Sequence, residues 1–525
     1  MARIARHPCT EARSPGATAH CPPEHRRWAL IATILGSSMA FVDSTVVNIA
    51  LPALQSTMGA TLAQAQWVVE AYSLFISALM LTGGALGDRF GRKRIFMIGV
   101  ALFTAASVAC GLAPGIAALI AFRGVQGVGA ALLVPGSLAI ISATFPDRER
   151  GKAIGTWSAF TSVTMVIGPL VGGGLIEHVS WRAIFFINVP LAAMTLWLCL
   201  RYVPESREGG QRALDPAGAV LATLGLGAVV YALIESSTTG FAHPLTWGAL
   251  VAGLALLALF LVVEWKGASP MMPLSLFRSP VFSGTNALTL FLYAALSGGL
   301  FFVPLDLIQL QGYTATEAGA ATIPSVLILF LMSRWAGGLA DRIGPKWLLV
   351  VGPLVAAAGF ALFMVPGLDA SYWTTFFPAT VVLGVGMGIT VAPLTNAVMG
   401  SVARNHAGIA SGINNAVSET AALLAVAIFG LAMAHAFQAK LEPSLAEGRV
   451  PPEIRAGIVR QESKLAAIEI PRASAPVQAA AKQAIGESFI AGFRLAELIA
   501  AALAALSALC AWIALGVISK PSRKG

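Results

Sequence analysis

Charge is scarce in this sequence: only 11% of its 525 residues are Asp, Glu, Lys or Arg, against about 25% in an average soluble protein. With 57% apolar residues, such a chain cannot cover a water-facing surface, which excludes an ordinary soluble domain. Cysteine is scarce too. The five cysteines, at 9, 21, 110, 199 and 510, show neither metal-ligand spacing nor a pairing suited to an oxidising compartment; they read as structurally incidental, and no metal site is expected. Phosphate-binding P-loop, HExxH and GxSxG patterns are missing, and no His/Asp cluster is evident. These gaps speak against ATP-driven pumping and against a membrane-embedded enzyme. No stretch shows the regular alternation of a membrane barrel, so any membrane-crossing segments are helices that satisfy their own backbone hydrogen bonds.

What the sequence has instead is long apolar runs. About 20 such residues cross a bilayer, and by this measure the candidate spans are 28–50, 64–87, 94–113, 116–140, 152–176, 183–203, 215–235, 246–264, 281–304, 317–339, 346–367, 373–400, 407–433 and 488–518. The predicted fold class is therefore an all-α polytopic membrane protein with fourteen transmembrane helices. Residues 1–27 read as a disordered cytoplasmic tail, and the run that follows is too long for a signal-peptide core. The basic residues set an orientation. With the N-terminus inside, 23 of the 34 Lys and Arg fall in cytoplasmic segments and Arg182 alone in the short outer loops, while the long segment 434–487 holds 7. Long loops translocate largely regardless of charge, so the net charge of +9 is an orientation signal with both termini cytoplasmic, and nucleic acid is not an expected partner.

"GALGDRFGRK" at 84–93 and "GGLADRIGPK" at 337–346 coincide at six of ten positions. Both follow an even-numbered span, as an internal repeat would require. Eight spans separate the copies, where two tandem six-helix bundles would put six. The arithmetic gives a bundle at 28–203, a linker at 204–280 with two inserted helices, a second bundle at 281–518 and a cytoplasmic tail at 519–525. Segment 434–487 would be a long extracytoplasmic loop with few large apolar groups, helical in places.

Four motifs in order carry a family resemblance: "VDSTVVNIALP" from 42, "GALGDRFGRK" from 84, "FRGVQGVGAALLVPG" from 122 and "GPLVGGG" from 168. Together they resemble the major facilitator superfamily and, within it, the fourteen-helix drug/proton antiporters. Two departures stand out. Thr164 occupies a place where the fifth-helix motif usually has glycine, and Pro345 stands where the first loop copy has Arg92. The resemblance implies that Gly84, Asp88, Arg89, Gly91 and Arg92, with Asp341 and Arg342 in the second copy, form a cytoplasmic gate, Asp88 and Arg92 holding the bundles together in the outward-facing state. Gly168, Pro169, Gly172 and Gly173 read as a packing and hinge element of helix five, since small residues admit a close partner and proline bends a helix.

An ionised carboxylate in mid-membrane costs about 2.5–3.5 kcal/mol on insertion scales, yet Asp43 lies more than halfway along the first span. It is either a proton-binding, cavity-facing group or a structural acid bonded to neighbouring helices. Ser37, Ser44 and Asn48 share one helix face and Asp43 projects about 100° from it, so by helix geometry Asp43 addresses a different neighbour from the substrate cavity. Arg123 and Gln126 share a face of helix four, where a fixed cation lowers the pKa of a nearby carboxylate; the alternative for Arg123 is snorkelling. Gln66 and Glu70 lie on one stripe of helix two, with an interfacial reading open for Glu70. Asn415 and Glu419 are spaced i, i+4 on helix thirteen. Asp43, Glu70, Arg123 and Glu419 are thus proton-coupling candidates, and Asn48, Gln66, Gln126 and Asn415 cavity-lining ones. Asp306 reads as interfacial, and Arg494 with Glu497 as an i, i+3 pair.

The function this supports is export of amphipathic small molecules, as in multidrug efflux, in exchange for protons by alternating access. Protons are the coupling ion and no other cofactor is needed. Proton-coupled uptake, or export of a specific metabolite, in the same fold is the alternative. The expected setting is the inner cell membrane, with the lipid bilayer as partner, a monomeric state, and an outer face that leaves room for a periplasmic adaptor.

Overall fold

A computed structural model describes residues 23–207, 215–267, 270–402 and 407–516, and their regular structure is entirely helical. The first half comprises α1 (Pro23–Met58), α2 (Leu62–Phe90), α3 (Arg92–Gly111), α4 (Ile116–Thr144), α5 (Asp147–His178), the short α6 (Ala183–Phe186) and α7 (Asn188–Tyr202). Next come α8 (Pro216–Thr239) and α9 (Pro244–Lys266). The second half holds α10 (Pro280–Leu305), the short α11 (Ala315–Ala320), α12 (Ile323–Ile343), α13 (Lys346–Leu362), α14 (Phe377–Gly400), α15 (Ala407–Glu447), the short α16 (Pro452–Val459) and α17 (Ala475–Gly516). Among the described residues twelve spans are long and apolar enough to cross a membrane, and α13 is a shorter apolar helix.

Local chemistry sets the helix ends. Thr61 and Gln64 form a reciprocal capping box at the start of α2, satisfying two amides that would otherwise lack partners. Ser279 accepts from the Phe282 amide ahead of α10, with Pro280 in its first turn, where a missing N–H costs nothing. Gly91, at φ +116°, separates α2 from α3 in a conformation that side chains resist.

Within the first half α4 packs on α2 and α3, and α1 on α5 and α7; in the second half α14 packs on α12 and α13 in the same pattern. The glycines explain how closely these helices approach. A Cβ on Gly129 would meet the Phe103 backbone nitrogen at 2.6 Å, and one on Gly386 would meet the Ala356 nitrogen at 2.4 Å. The repeated loop motif therefore marks a repeated three-helix unit. Helix α8 lies against α2 and α15 and pairs with α9, and its Leu226, Val230 and Ile234 share an apolar cluster with Leu74, Leu423 and Ala427.

The segment 434–487 departs from its reading as a loop. Helix α15 continues to Glu447 and α17 begins at Ala475, so most of the segment is helical. Its large apolar residues are few but periodic: Phe437, Leu441 and Leu445 on α15 are at most 1% exposed. They extend the core stripe at i, i+4 and i+8, and Ile458, Leu465 and Ile468 of the connecting stretch close over the same cluster.

Candidate functional site

Asp43 is 3% exposed and Arg123 1%, and the two form a salt bridge between α1 and α4. The geometry rules out snorkelling for Arg123. Its Nε donates to the Val68 carbonyl at 2.9 Å, its Nη1 donates to Gln126 Oε1 at 2.8 Å as well as to Asp43, and its guanidinium sits 4.5 Å from the Tyr72 ring centroid. Gln126 Nε2 completes the cluster by donating to the other Asp43 oxygen at 2.7 Å. Three helices thus hold one cation, and both carboxylate oxygens of Asp43 accept hydrogen bonds. Such satisfaction is what permits a buried pair, because an unpaired buried charge costs several kcal/mol.

Two members of this cluster went unread in the sequence. Tyr72 gives no spacing signal. Cys110, read as incidental, directs its Sγ to Gln126 Oε1 at 3.7 Å. Asp43 does turn away from the Ser37 face: Ser37 Oγ meets Ser137 Oγ and accepts from Trp157 Nε1. Asn48 is half-buried, with its Oδ1 unpartnered.

Glu419 lies on α15, in the opposite half, and is half-buried. The packing of α15 against α2 and α10 brings it to the side of the second half that meets the first. Asn415, one turn earlier, is exposed. Its neighbour Asn414 makes the tie to α10, donating to Asn286 Oδ1 at 3.1 Å and Thr289 Oγ1 at 2.7 Å. Gln66 is buried and donates across the two halves to the Val426 carbonyl at 2.7 Å. Glu70 is 0% exposed with neither carboxylate oxygen partnered, which removes the interfacial reading.

Contacts between the halves gather at the Gln55 end of the molecule. Gln309 Nε2 donates to Gln55 Oε1 at 2.8 Å, and Thr316 Oγ1 to Glu177 Oε2 at 2.7 Å. The helix-five glycines divide between two partners. Gly168 and Gly172 face Thr45 and Val46 of α1, whereas Gly173 faces the Ala315 carbonyl, at 2.5 Å from a built Cβ, and the Pro169 carbonyl faces Gly319 of α11.

At the other end, Asp88 and Arg92 pair with each other at 2.7 Å, within one half and not across the two. Glu205, unread in the sequence, accepts from the Lys93 and Arg94 amides at 3.1 and 3.2 Å. A carboxylate there complements the positive start of α3, and Gly91 leaves it room, since a Cβ would lie 2.7 Å from Glu205 Cδ. Gly84 lies against Pro135. Arg89 is exposed over the Phe90 ring, and Arg342 is exposed; the Asp341 side chain lies outside the described residues, as do residues 1–22 and 517–525. Asp306, read as interfacial, is 1% exposed and Glu497 0%, and Arg494 donates to the Met364 and Pro366 carbonyls instead of pairing with Glu497.

Helices of this length, two halves built on one repeated pattern and an ion pair sealed inside the membrane part define a membrane transporter. The chain belongs to the Major Facilitator Superfamily, whose model matches residues 33–426, and it is a multi-pass membrane transporter. It is 34% identical over 498 residues to the multidrug resistance protein Stp of Mycobacterium tuberculosis (strain CDC 1551 / Oshkosh), covering 92% of this chain and 91% of that one. It is 32% identical over 512 residues to the tetracenomycin C resistance and export protein of Streptomyces glaucescens, covering 94% and 93%. Among solved structures, a bacterial homolog of the human lysosomal transporter Spinster, inward-facing and unoccupied, superposes with a TM-score of 0.68 at 17% identity, covering 96% of this chain and 100% of that one. A D-xylose–proton symporter gives 0.57 at 16% identity, covering 92% and 95%.

Proposed function

We propose that this transporter exports amphipathic small molecules in exchange for protons, by alternating access of a path between its two halves. The observation that carries the reading is the Asp43–Arg123–Gln126 cluster, buried where α1 meets α4. Protonation of Asp43 would cancel half of the ion pair and free Arg123 to weaken its hold on α1. Proton binding and helix packing are thereby coupled through differential affinity for two arrangements. The names of the relatives, resistance and export proteins for multiple drugs and for tetracenomycin C, support efflux over uptake.

In this reading α5 and α13 join the twelve long spans to give fourteen membrane helices. These make two six-helix bundles with α8 and α9 inserted between them, and both termini are cytoplasmic because the basic residues concentrate at the Asp88 end. The Gln55 end is then the outer face, and the contacts between the halves there would be a closed outer gate. The test uses inverted vesicles with an imposed proton gradient and a panel of amphipathic compounds. Wild type accumulates compound and releases protons, whereas Asp43→Asn does neither at equal membrane content. Full coupled flux in Asp43→Asn would remove that acid from the mechanism; uptake in the opposite direction would overturn export.

A further inference from the structure

The second half contains two acids that the Asp43 cluster does not involve. Asp306 follows α10 directly, at the first position of a π-helical turn, Asp306–Leu310, and Glu497 lies on α17. Glu497 has neither carboxylate oxygen partnered, and Asp306 has Oδ2 unpartnered. Glu497 Oε2 faces the backbone of Gly299, which is seven residues before Asp306 and so on the same face of α10. Asp306 thus follows about two turns further along the face of α10 that Glu497 meets.

No cation offsets them among the described residues. Asp306 takes one hydrogen bond, from Gln311 Nε2 at 3.1 Å. Arg494, one turn before Glu497, is engaged by the Met364 and Pro366 carbonyls. From α15 the side chains facing this region are Phe429 and Met433, while His435 is exposed. From α13 it is Phe360. Asp369 in the following loop is exposed, the Tyr313 hydroxyl accepts from the Tyr372 amide, and Lys464 in the nearby 3-10 turn reaches Gln461. A carboxylate in a dry, donor-poor site with no cation beside it is driven toward its neutral acid form.

We infer that Asp306 and Glu497 form a second proton-binding site, separate from the Asp43 cluster, and that closing the outer gate requires this site to hold at least one proton. The connection to the gate is covalent and short. The π turn that begins at Asp306 carries Gln309, which donates to Gln55 of the first half, and Gln311, directly after it, also fastens the 367–370 loop through the Gly367 carbonyl and the Ala370 amide. Ionising either acid demands water or a donor, and the turn must move to admit one. The bound species is H⁺ taken from the aqueous phase at the outer end, converting a carboxylate to a carboxylic acid. π turns of this kind recur at functional sites.

The test has two arms on the full-length chain in nanodiscs. Infrared difference spectra at neutral pH should show the carbonyl stretch of a protonated carboxyl that Glu497→Gln, and separately Asp306→Asn, removes. In the second arm, spin labels across the outer gate report the closed-to-open ratio against pH. Wild type should gain up to about tenfold closure per unit fall in pH for each linked proton; Glu497→Gln should flatten that response by one proton's worth, and Glu497→Asp should retain it. A wild-type spectrum without such a band, bands untouched by both variants, or an unchanged pH response in Glu497→Gln would overturn the inference. The inference rests on the closed outer face and not on drug export, so failure of the Asp43→Asn flux test leaves the infrared arm standing.

Discussion

Single residues decide whether charge can live inside this protein. Arg123 satisfies Asp43, Gln126 and the Val68 carbonyl at once, a set that lysine, with one compact ammonium, cannot reproduce. Arg123→Ala should cost about 3–5 kcal/mol, because it leaves Asp43 as an uncompensated buried charge. The double variant Asp43→Leu/Arg123→Met should be more thermostable in detergent than Arg123→Ala while remaining inactive. Equal melting of the two would show that the pair is not held as a buried ion pair. Spacing made Asp43, Arg123 and Gln126 visible as candidates, since a charge in an apolar run is conspicuous by itself. Tyr72 and Glu205 were invisible. An aromatic in a span and an acid after one are unremarkable until folding places them against Arg123 and the start of α3.

Among the elements, α5 shows how one glycine run serves two neighbours. A Cβ at Gly172 would meet Val46 Cγ1 at 2.4 Å, so Gly172→Leu should force α5 off α1 and cost about 1–3 kcal/mol by overpacking, read as a lower melting temperature. Gly173→Ala presses instead on the Ala315 carbonyl of the other half. It should shift the gate toward outer opening, measured as faster labelling of a cysteine placed on the outer side of the path, with a smaller change in melting. Gly174→Ala is the control, because nothing lies within 4 Å of its built Cβ. If Gly173→Ala and Gly174→Ala label at the same rate, α5 and α11 do not form part of the gate. Apolar length alone picked out the twelve long spans, but not the helical extensions of α15 and α17. Their buried residues are too few to raise an apolar average, and only their alignment with the core stripe shows what they do.

For the whole molecule, transport requires the closed Gln55 end to open. Crosslinking Gln55→Cys to Gln309→Cys with a short, reducible spacer should therefore stop flux almost completely, and reduction should restore it; each single variant, treated alike, should keep transporting. Flux that survives a complete crosslink would mean that these two residues do not separate during the cycle. At this scale the Asp88–Arg92 pair also finds its place. Its two members meet each other within the first half, where the resemblance implies that they bridge the halves in another state of the cycle. Asp88→Ala should slow the turnover of the cycle more than it weakens substrate binding, seen as a larger fall in maximal rate than in apparent affinity.

Apolar length, basic-residue placement and the doubled loop motif were enough to establish a helical membrane protein in two related halves, because each signal is local to a stretch of chain and survives whatever the helices later pack against. The partners of each buried acid were not legible in the same way. Asp43 and Arg123 lie 80 residues apart, and whether they meet depends on how α1 and α4 are rotated and how closely glycine contacts let the bundle close. The same packing left Asp306 and Glu497 in a dry interior although each stands near a predicted span end. A side chain's position along a helix is written in the order of residues; the direction it faces, and the dielectric it faces into, arise only when the helices assemble.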